Sequence, residues 1–301
     1  VIARIVSIRR TSRQVKDLLR SVVLLAIFQI GHACADEPPD KNGYNLFHAT
    51  PAALLREMAT DRPDKTESAY SVDAGHYQIE MDLLTYTYDR SSAGGEHLTV
   101  KAWAVAPINL KVGVLNNVDL QIIAESYNIR RTKDRAANSG TRVSGFGDLL
   151  LRCKTNLWGN DGGPSALAVM PFVKLPTNQR DLGNEALEGG IIFPFAMELP
   201  ADWGLGAQAE VDHLQDSNSS DYHQEFINTV TVSHDIAGRL GGYVELFSNV
   251  STERGAKWIA TFDFGFTYAV TCDIQLDAGM NVGLTGAADD LNPFIGLSMR
   301  Y

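Results

Sequence analysis

From His76 to the end of the chain, apolar and polar side chains alternate with a period of two. Gln78, Glu80 and Asp82 interleave with Tyr77, Ile79, Met81 and Leu83. Trp258, Ala260, Phe262, Phe264, Phe266 and Tyr268 interleave with Lys257, Thr261, Asp263, Gly265 and Thr267. Ile274, Leu276, Ala278, Met280, Val282 and Leu284 interleave with Gln275, Asp277, Gly279, Asn281 and Gly283. Successive side chains of a strand point to opposite faces, so each run predicts a long strand with one apolar and one wet face. Short connections at 116–117, 158–164, 200–203, 236–239 and 270–273 alternate with polar ones at 89–96, 131–144, 178–188, 215–221, 249–255 and 285–291. Five turns and six loops predict twelve antiparallel strands, to within two, with both termini on one side. Pro171 and Pro194 each remove a ladder donor, which predicts bulges or local unpairing, and residues 106–114 also read as irregular.

The flanks of this region differ from it. Residues 36–42 are polar, and Thr50 followed by Pro51 and good helix formers predicts one short helix over residues 50–58. Residues 61–68 are charged and lack a regular period; they read either as a solvated linker or as a periplasmic or lumenal plug. At the other end Ile295, Leu297, Met299 and Tyr301 are apolar, with Gly296, Ser298 and Arg300 between them. Ending on a strand makes sense if that strand closes a barrel against the first one. The terminal aromatic after apolar residues at every second position resembles the signal that barrel assembly machinery reads on bacterial outer-membrane barrels. An apolar outer face over an acid- and amide-bearing inner face suits a transmembrane barrel, and Trp258 and Tyr268 near strand ends suit interfacial girdles.

Composition adds a leader and a sign of charge. Arg4, Arg9, Arg10, Arg13, Lys16 and Arg20 precede a short apolar run at 22–28, and Ala33-Cys-Ala35 follows. That order predicts a secretory signal peptide at 1–35; the small-residue context before Cys34 is a poor lipoprotein match. The apolar run is too short for a spanning helix, and none of about 20 residues follows it. Six of the 26 basic and one of the 36 acidic residues lie in residues 1–35, so the remainder carries a net charge of −15. Such acidity disfavours nucleic acid as a partner. Cys153 and Cys272 follow neither a disulfide-framework nor a zinc-ligand spacing, and are expected as two packed thiols.

Three stretches then carry a family likeness: Asp61-Arg-Pro-Asp-Lys-Thr-Glu-Ser68 followed by Val72-Asp-Ala-Gly-His-Tyr-Gln-Ile-Glu80; Gly145-Phe-Gly-Asp-Leu-Leu-Leu-Arg152 running into Asn156-Leu-Trp-Gly-Asn-Asp-Gly-Gly163; and Met170-Pro-Phe-Val-Lys-Leu-Pro-Thr177. The chain resembles the bacterial transporter proteins grouped as the meta-pathway of phenol degradation family, over residues 45–301. That resemblance implies an outer-membrane β-barrel assigned to passage of small, often aromatic, compounds, and it carries no catalytic set.

Parity places Glu80, Asp82, Asp148, Arg152, Lys154, Glu198, Glu210, Asp212, Glu245, Asp263 and Asp277 on the inner face. A basic residue on the lipid face at the midplane would cost about 2–4 kcal/mol. These groups either form a polar pathway that tunes selectivity or pair with one another in a filled interior. Asp148, Arg152 and Lys154 share one face of one strand and are expected to form a charge cluster. Asp61, Arg62 and Asp64 are candidates for a plug or a contact at the periplasmic rim. Gly145-Phe-Gly147 lacks the strand-to-helix setting of a phosphate loop. His213, His223 and His234 lack paired ligand spacing, and Ser233, His234 and Asp235, as neighbours in a strand, cannot meet as a triad. The chain is therefore expected to be an all-β transmembrane barrel of about twelve strands, residues 76–301, with residues 36–75 as an N-terminal segment holding a short helix. Its expected activity is passive passage of small solutes, aromatic or hydrophobic ones among them, without enzymatic activity, cofactor or metal. Its expected partners are outer-membrane lipid, the solute and the assembly machinery. The alternative is a structural or loop-mediated binding barrel with no open pore.

Overall fold

The computed structural model describes residues 40–91, 97–180 and 182–301. The expected leader at 1–35, with Cys34, lies outside the described residues. Fifteen strand segments follow one another: β1 (Tyr77–Ser91), β2 (Leu98–Val105), β3 (Ile108–Leu115), β4 (Val118–Ala124) and β5 (Tyr127–Asp134). Then come β6 (Ser139–Gly145), β7 (Leu149–Trp158), β8 (Ser165–Leu175), β9 (Glu188–Leu199) and β10 (Trp203–Gln215). The last are β11 (Tyr222–Ala237), β12 (Leu240–Ser251), β13 (Ile259–Thr271), β14 (Ile274–Gly283) and β15 (Leu291–Arg300). All join in one antiparallel sheet, and β15 pairs with β1 to close it.

Fifteen segments make twelve crossings, because three long strands are each broken once. β1 pairs with β2 from Thr85↔Ala104 upward and with β3 from Met81↔Ile108 downward, in one continuous register. The break falls at Ala106, whose φ of 52° is left-handed, and Pro107. Likewise β4 and β5 are one strand broken at residues 125–126, and β6 and β7 one strand broken at 146–148. The sheet is therefore the expected closed twelve-stranded barrel. Around Pro171 and Pro194 the ladder skips partners without changing register, so the prolines unpair the wall locally and do not bulge it.

The barrel is inside-out relative to a soluble domain. Its buried side chains are largely polar, among them Gln78, Lys111, Asp119, Gln121, Lys154, Glu245, Asp263 and Asp277. Its exposed ones include Leu110, Ile122, Phe193, Val230, Leu246, Phe262, Phe266, Leu276 and Ile295. A continuous apolar surface of this extent is unstable in water and suits lipid. Tyr77, Trp158, Trp203 and Tyr301 sit at the short-turn end and Tyr222 and Trp258 at the long-loop end, as interfacial aromatics do. Among the described residues no helix is long and apolar enough to cross a membrane.

Several expectations need correction. Cys153 and Cys272 are free thiols, but Cys272, in the turn after β13, is exposed and Cys153 is only half-buried, so they are not a packed pair. The helix over 50–58 is a single 3-10 turn, Ala52–Leu54; Thr50 gives no side-chain cap and Leu55 is already extended (φ −64°, ψ 139°). A helix this short has little stability of its own. Tertiary partners take the chain instead: the Arg56 N–H donates to Asp73 Oδ2 at 3.0 Å and its guanidinium to Asn116 and Asp161. The loop expected at 131–144 is mostly a hairpin, since β5 and β6 pair out to Asp134↔Ser139. Arg130, Arg131, Lys133, Gly140, Thr141 and Arg142 leave that ribbon without an apolar face, so no period of two was there to find.

Candidate functional site

Residues 40–76 lead from the short-turn end into the lumen and back to the foot of β1. The Leu46 N–H donates to Val114 O and the Thr50 N–H to Ala74 O, tying the base of the segment to the barrel rim. Asp73, 1% exposed, receives Lys41 at 3.3 Å and Arg56 at 3.3 Å. The chain passes so close to β3 that a Cβ at Gly113 would lie 2.0 Å from the Asp73 carbonyl oxygen; only glycine fits there.

Higher in the lumen the segment is gripped by buried charge. Asp61 lies between Lys111 and Lys154, the latter at 2.5 Å, and Lys111 also meets Glu80. Burial acts to raise the pKa of Asp61, but the two lysines overrule it and hold the carboxyl well below the usual range. Arg62 bridges Asp82 at 2.6 Å and Asp277 at 2.7 Å, joining β1 to β14 through the segment. Arg152 meets Glu67 at 2.6 Å, and Val72 N–H donates to Asp119 at 3.0 Å. Removing one partner of such a buried pair costs about 3–5 kcal/mol, because the other charge is stranded away from water.

The apex of the segment reaches the opposite wall. Lys65 meets Asp263 at 3.1 Å, donates to Thr261 at 2.8 Å and lies 4.2 Å from the centre of the Phe247 ring. The Lys65 N–H and the Thr66 hydroxyl both donate to Glu245. Burial, reinforced by the Glu245 charge, pushes Asp64 up to about 8. Burial likewise pushes Glu67 up to about 7 in spite of Arg152.

The expected inner-face residues therefore divide into sets. Glu80, which accepts from the Asp61 N–H at 3.0 Å, and Asp82, Arg152, Lys154, Glu245, Asp263 and Asp277 all touch the segment. Glu198 stands on the wall of a cavity beside it, and Glu210 accepts from Gln208 at 2.7 Å near the buried Asp212. The expected trio of Asp148, Arg152 and Lys154 does not form one cluster. Asp148 lies in the break between β6 and β7 and accepts the N–H groups of Thr177, Asn178 and Asn184, so it organises the β8–β9 loop. Its two former companions are drawn down to Glu67 and Asp61. The side chains of Ser233, His234 and Asp235 stay apart as well: His234 packs tilted by 55° against Trp203, with ring centres 4.5 Å apart, and its ring nitrogens meet the backbone carbonyls of Asp235 and Ala201. His213 packs on Tyr222, while His223 faces Asp216 at 2.8 Å.

Lys111, Asp119 and Gln121 were missed, although each alternates with apolar neighbours (Leu110, Val112, Leu120, Ile122) as the inner residues of β1 do. The signal was present; the break at Ala106 and Pro107 hid that β3 is the lower half of a full strand. Gln78, a polar position in the alternation of β1, and Asn156, part of the family likeness, carry no charge and were not singled out as site residues; they donate to Ala59 O and Ala69 O.

The wall of residues 76–301 thus encloses a charged segment beginning near residue 60, and it is this combination that is matched elsewhere. The sequence pattern of the family described as "Putative MetA-pathway of phenol degradation" covers residues 60–301. No curated protein sequence matches the chain. Among solved structures, an outer membrane channel from Pseudomonas putida F1 is similar over 81% of this chain and 100% of its own, with a TM-score of 0.56 at 13% identity. The transport unit of the autotransporter AIDA-I from Escherichia coli is similar over 83% of this chain and 94% of its own, with a TM-score of 0.51 at 10% identity. At these identities the likeness is one of fold. Matched from its inner segment to its closing strand, the chain belongs to the MetA-pathway phenol-degradation family and is a β-barrel of the bacterial outer membrane.

Proposed function

We propose that the protein is an outer-membrane channel for small solutes whose own N-terminal segment acts as a plug. The observation that carries this is the placement of residues 60–72 inside the lumen, ion-paired to β1, β3, β7, β13 and β14, with unfilled volume left beside them. A barrel that served only as an anchor would gain nothing from a lumen partly kept open. Fold alone does not name a cargo; aromatic or hydrophobic compounds are proposed from the family's description. No lumen group is given a catalytic role, which the separation of Ser233, His234 and Asp235 supports.

The deciding measurement is the conductance of the purified, detergent-folded protein in a planar bilayer, with neutral aromatics and aromatic acids added in turn. Discrete openings blocked by one of these compounds are expected. Silence from a folded barrel that persists after deletion of residues 60–68 would favour the second reading, a barrel without a pore that acts through its long loops.

A further inference from the structure

The segment does not meet the wall evenly. Toward β1, β3, β4 and β7 it packs on Lys111, Lys154, Glu80 and Asp119, all at most 2% exposed, and the cavity left there measures only about 180 Å³. Toward β9–β13 a cavity of about 550 Å³ separates residues 60–64 from the wall, bounded by Glu198, Gly204, Ser233, Asp235, Gly241 and Tyr243. A second of about 290 Å³ shares Thr60, Asp64, Glu198, Gly204 and Ser233 with it and reaches up to Thr66, Glu67 and Gly206. The sequence makes this side hollow. Inner positions that carry long side chains on β3 and β7 are Gly204 on β10 and Gly241 on β12, whereas Gly206 is covered by Thr66 of the segment. Directly across the segment, the wall recedes where its side chains are absent.

The fixed charge along this gap is of one sign. Asp64, Glu198, Asp202 and Asp235 line the larger cavity, and no lysine does. Arg62 also borders it, but its guanidinium is committed to Asp82 and Asp277. With Asp64 protonated, three carboxylates still face the space. Clefts lined by one sign, with low-dielectric walls, concentrate the field and raise the local level of counter-ions.

Above these cavities residues 65–67 bond directly to Gln208, Thr229, Glu245 and Asp263, so the gap is a vestibule at the short-turn end. We infer that this vestibule, between residues 60–64 and β9–β13, is the mouth through which solutes enter or leave beside the plug, and that its carboxylates make the passage select cationic and neutral solutes over anions. The inference rests on the channel function proposed above, and it assigns Glu198 and Asp235 as the selectivity-determining residues. Among aromatic solutes, neutral phenols then pass and benzoate-like anions are held back.

Reversal potentials in a KCl gradient test it on the barrel with its N-terminal segment in place. Wild-type channels are expected to be cation-selective by several-fold, and Glu198→Lys with Asp235→Lys to move the reversal potential toward the chloride value. A second measurement needs no current. In a background lacking the native cysteines, Ser233→Cys is expected to react faster with a cationic thiosulfonate than with an anionic one of equal size. Openings whose selectivity ignores the two charge reversals, or equal thiol rates, would overturn the inference and leave the channel intact. Absence of openings would remove the channel function, and the thiol rates would still decide the charge preference of the gap.

Discussion

Asp61 shows how a single side chain holds this assembly. Its two lysines come from strands whose pairing is fixed by β4, which joins β3 on one side and β7 on the other. Lys111 is 1% exposed, whereas the Lys65 side chain at the apex is 30% exposed. Lys111→Met strands Asp61 and Glu80 and is expected to cost about 3–5 kcal/mol. Lys65→Met leaves the fully buried Asp263 with only the Thr261 hydroxyl donating to it, but Lys65 itself is already partly hydrated, so the loss is expected to be smaller, about 1–3 kcal/mol. Urea unfolding of the two variants in the same detergent checks the ranking, and equal losses would contradict it. Asp64 and Glu67 add a dependence on pH. Both carboxyls hold their protons more tightly in the docked segment than in a solvated one, so the docked state gains stability below about pH 4. That gain is lost as pH rises through about 7 for Glu67 and about 8 for Asp64. Open probability is expected to rise between pH 6 and 9, and Asp64→Asn to flatten the upper part of that rise. A wild-type profile identical to that of Asp64→Asn would show that this carboxyl does not titrate in the gate.

At the scale of elements, what was legible depended on whether a strand touched lipid along its whole length. β13 and β14 do so on one face, and their alternation announced them. So did β15: Met299 pairs with Ile79 and Leu297 with Met81, and Tyr77 and Tyr301 exchange both backbone bonds at the seam. The ribbon of β5 and β6 carries no apolar face, and the alternation that marks lipid contact disappears there. Residues 50–58 failed for a different reason. Local propensity favoured a helix, but Asp73, Asn116 and Asp161 offered Arg56 better partners than a helical turn did. The strand breaks are likewise tertiary: Asp148 leaves the ladder to collect three N–H groups of a distant loop, and nothing near it in sequence says so.

At the scale of the molecule, the wall and its contents obey different rules. The wall is held by backbone ladders between neighbours, which is why its twelve crossings follow from a local period. The plug is held by side chains far away in sequence; Arg62 and Asp277 are 215 residues apart. A charged run such as 61–68 states that charge needs partners, without saying which. The same division predicts how the protein tolerates damage. Asp61→Leu keeps the plug in place and leaves Lys154 buried beside an apolar side chain, with no carboxylate from the segment. Deleting residues 60–68 removes Asp61, Arg62, Lys65 and Glu67 together and lets water into the lumen, so Lys111, Lys154 and Arg152 regain hydration. Since stranding a buried charge costs more than solvating it, the single substitution is expected to destabilise the folded barrel more than the nine-residue deletion does. Unfolding midpoints in detergent give the order, and conductance gives an independent sign: the deletion is expected to conduct more than wild type. A deletion variant less stable than Asp61→Leu would mean that the segment supports the wall by packing, and that its charges matter less than the volume it fills.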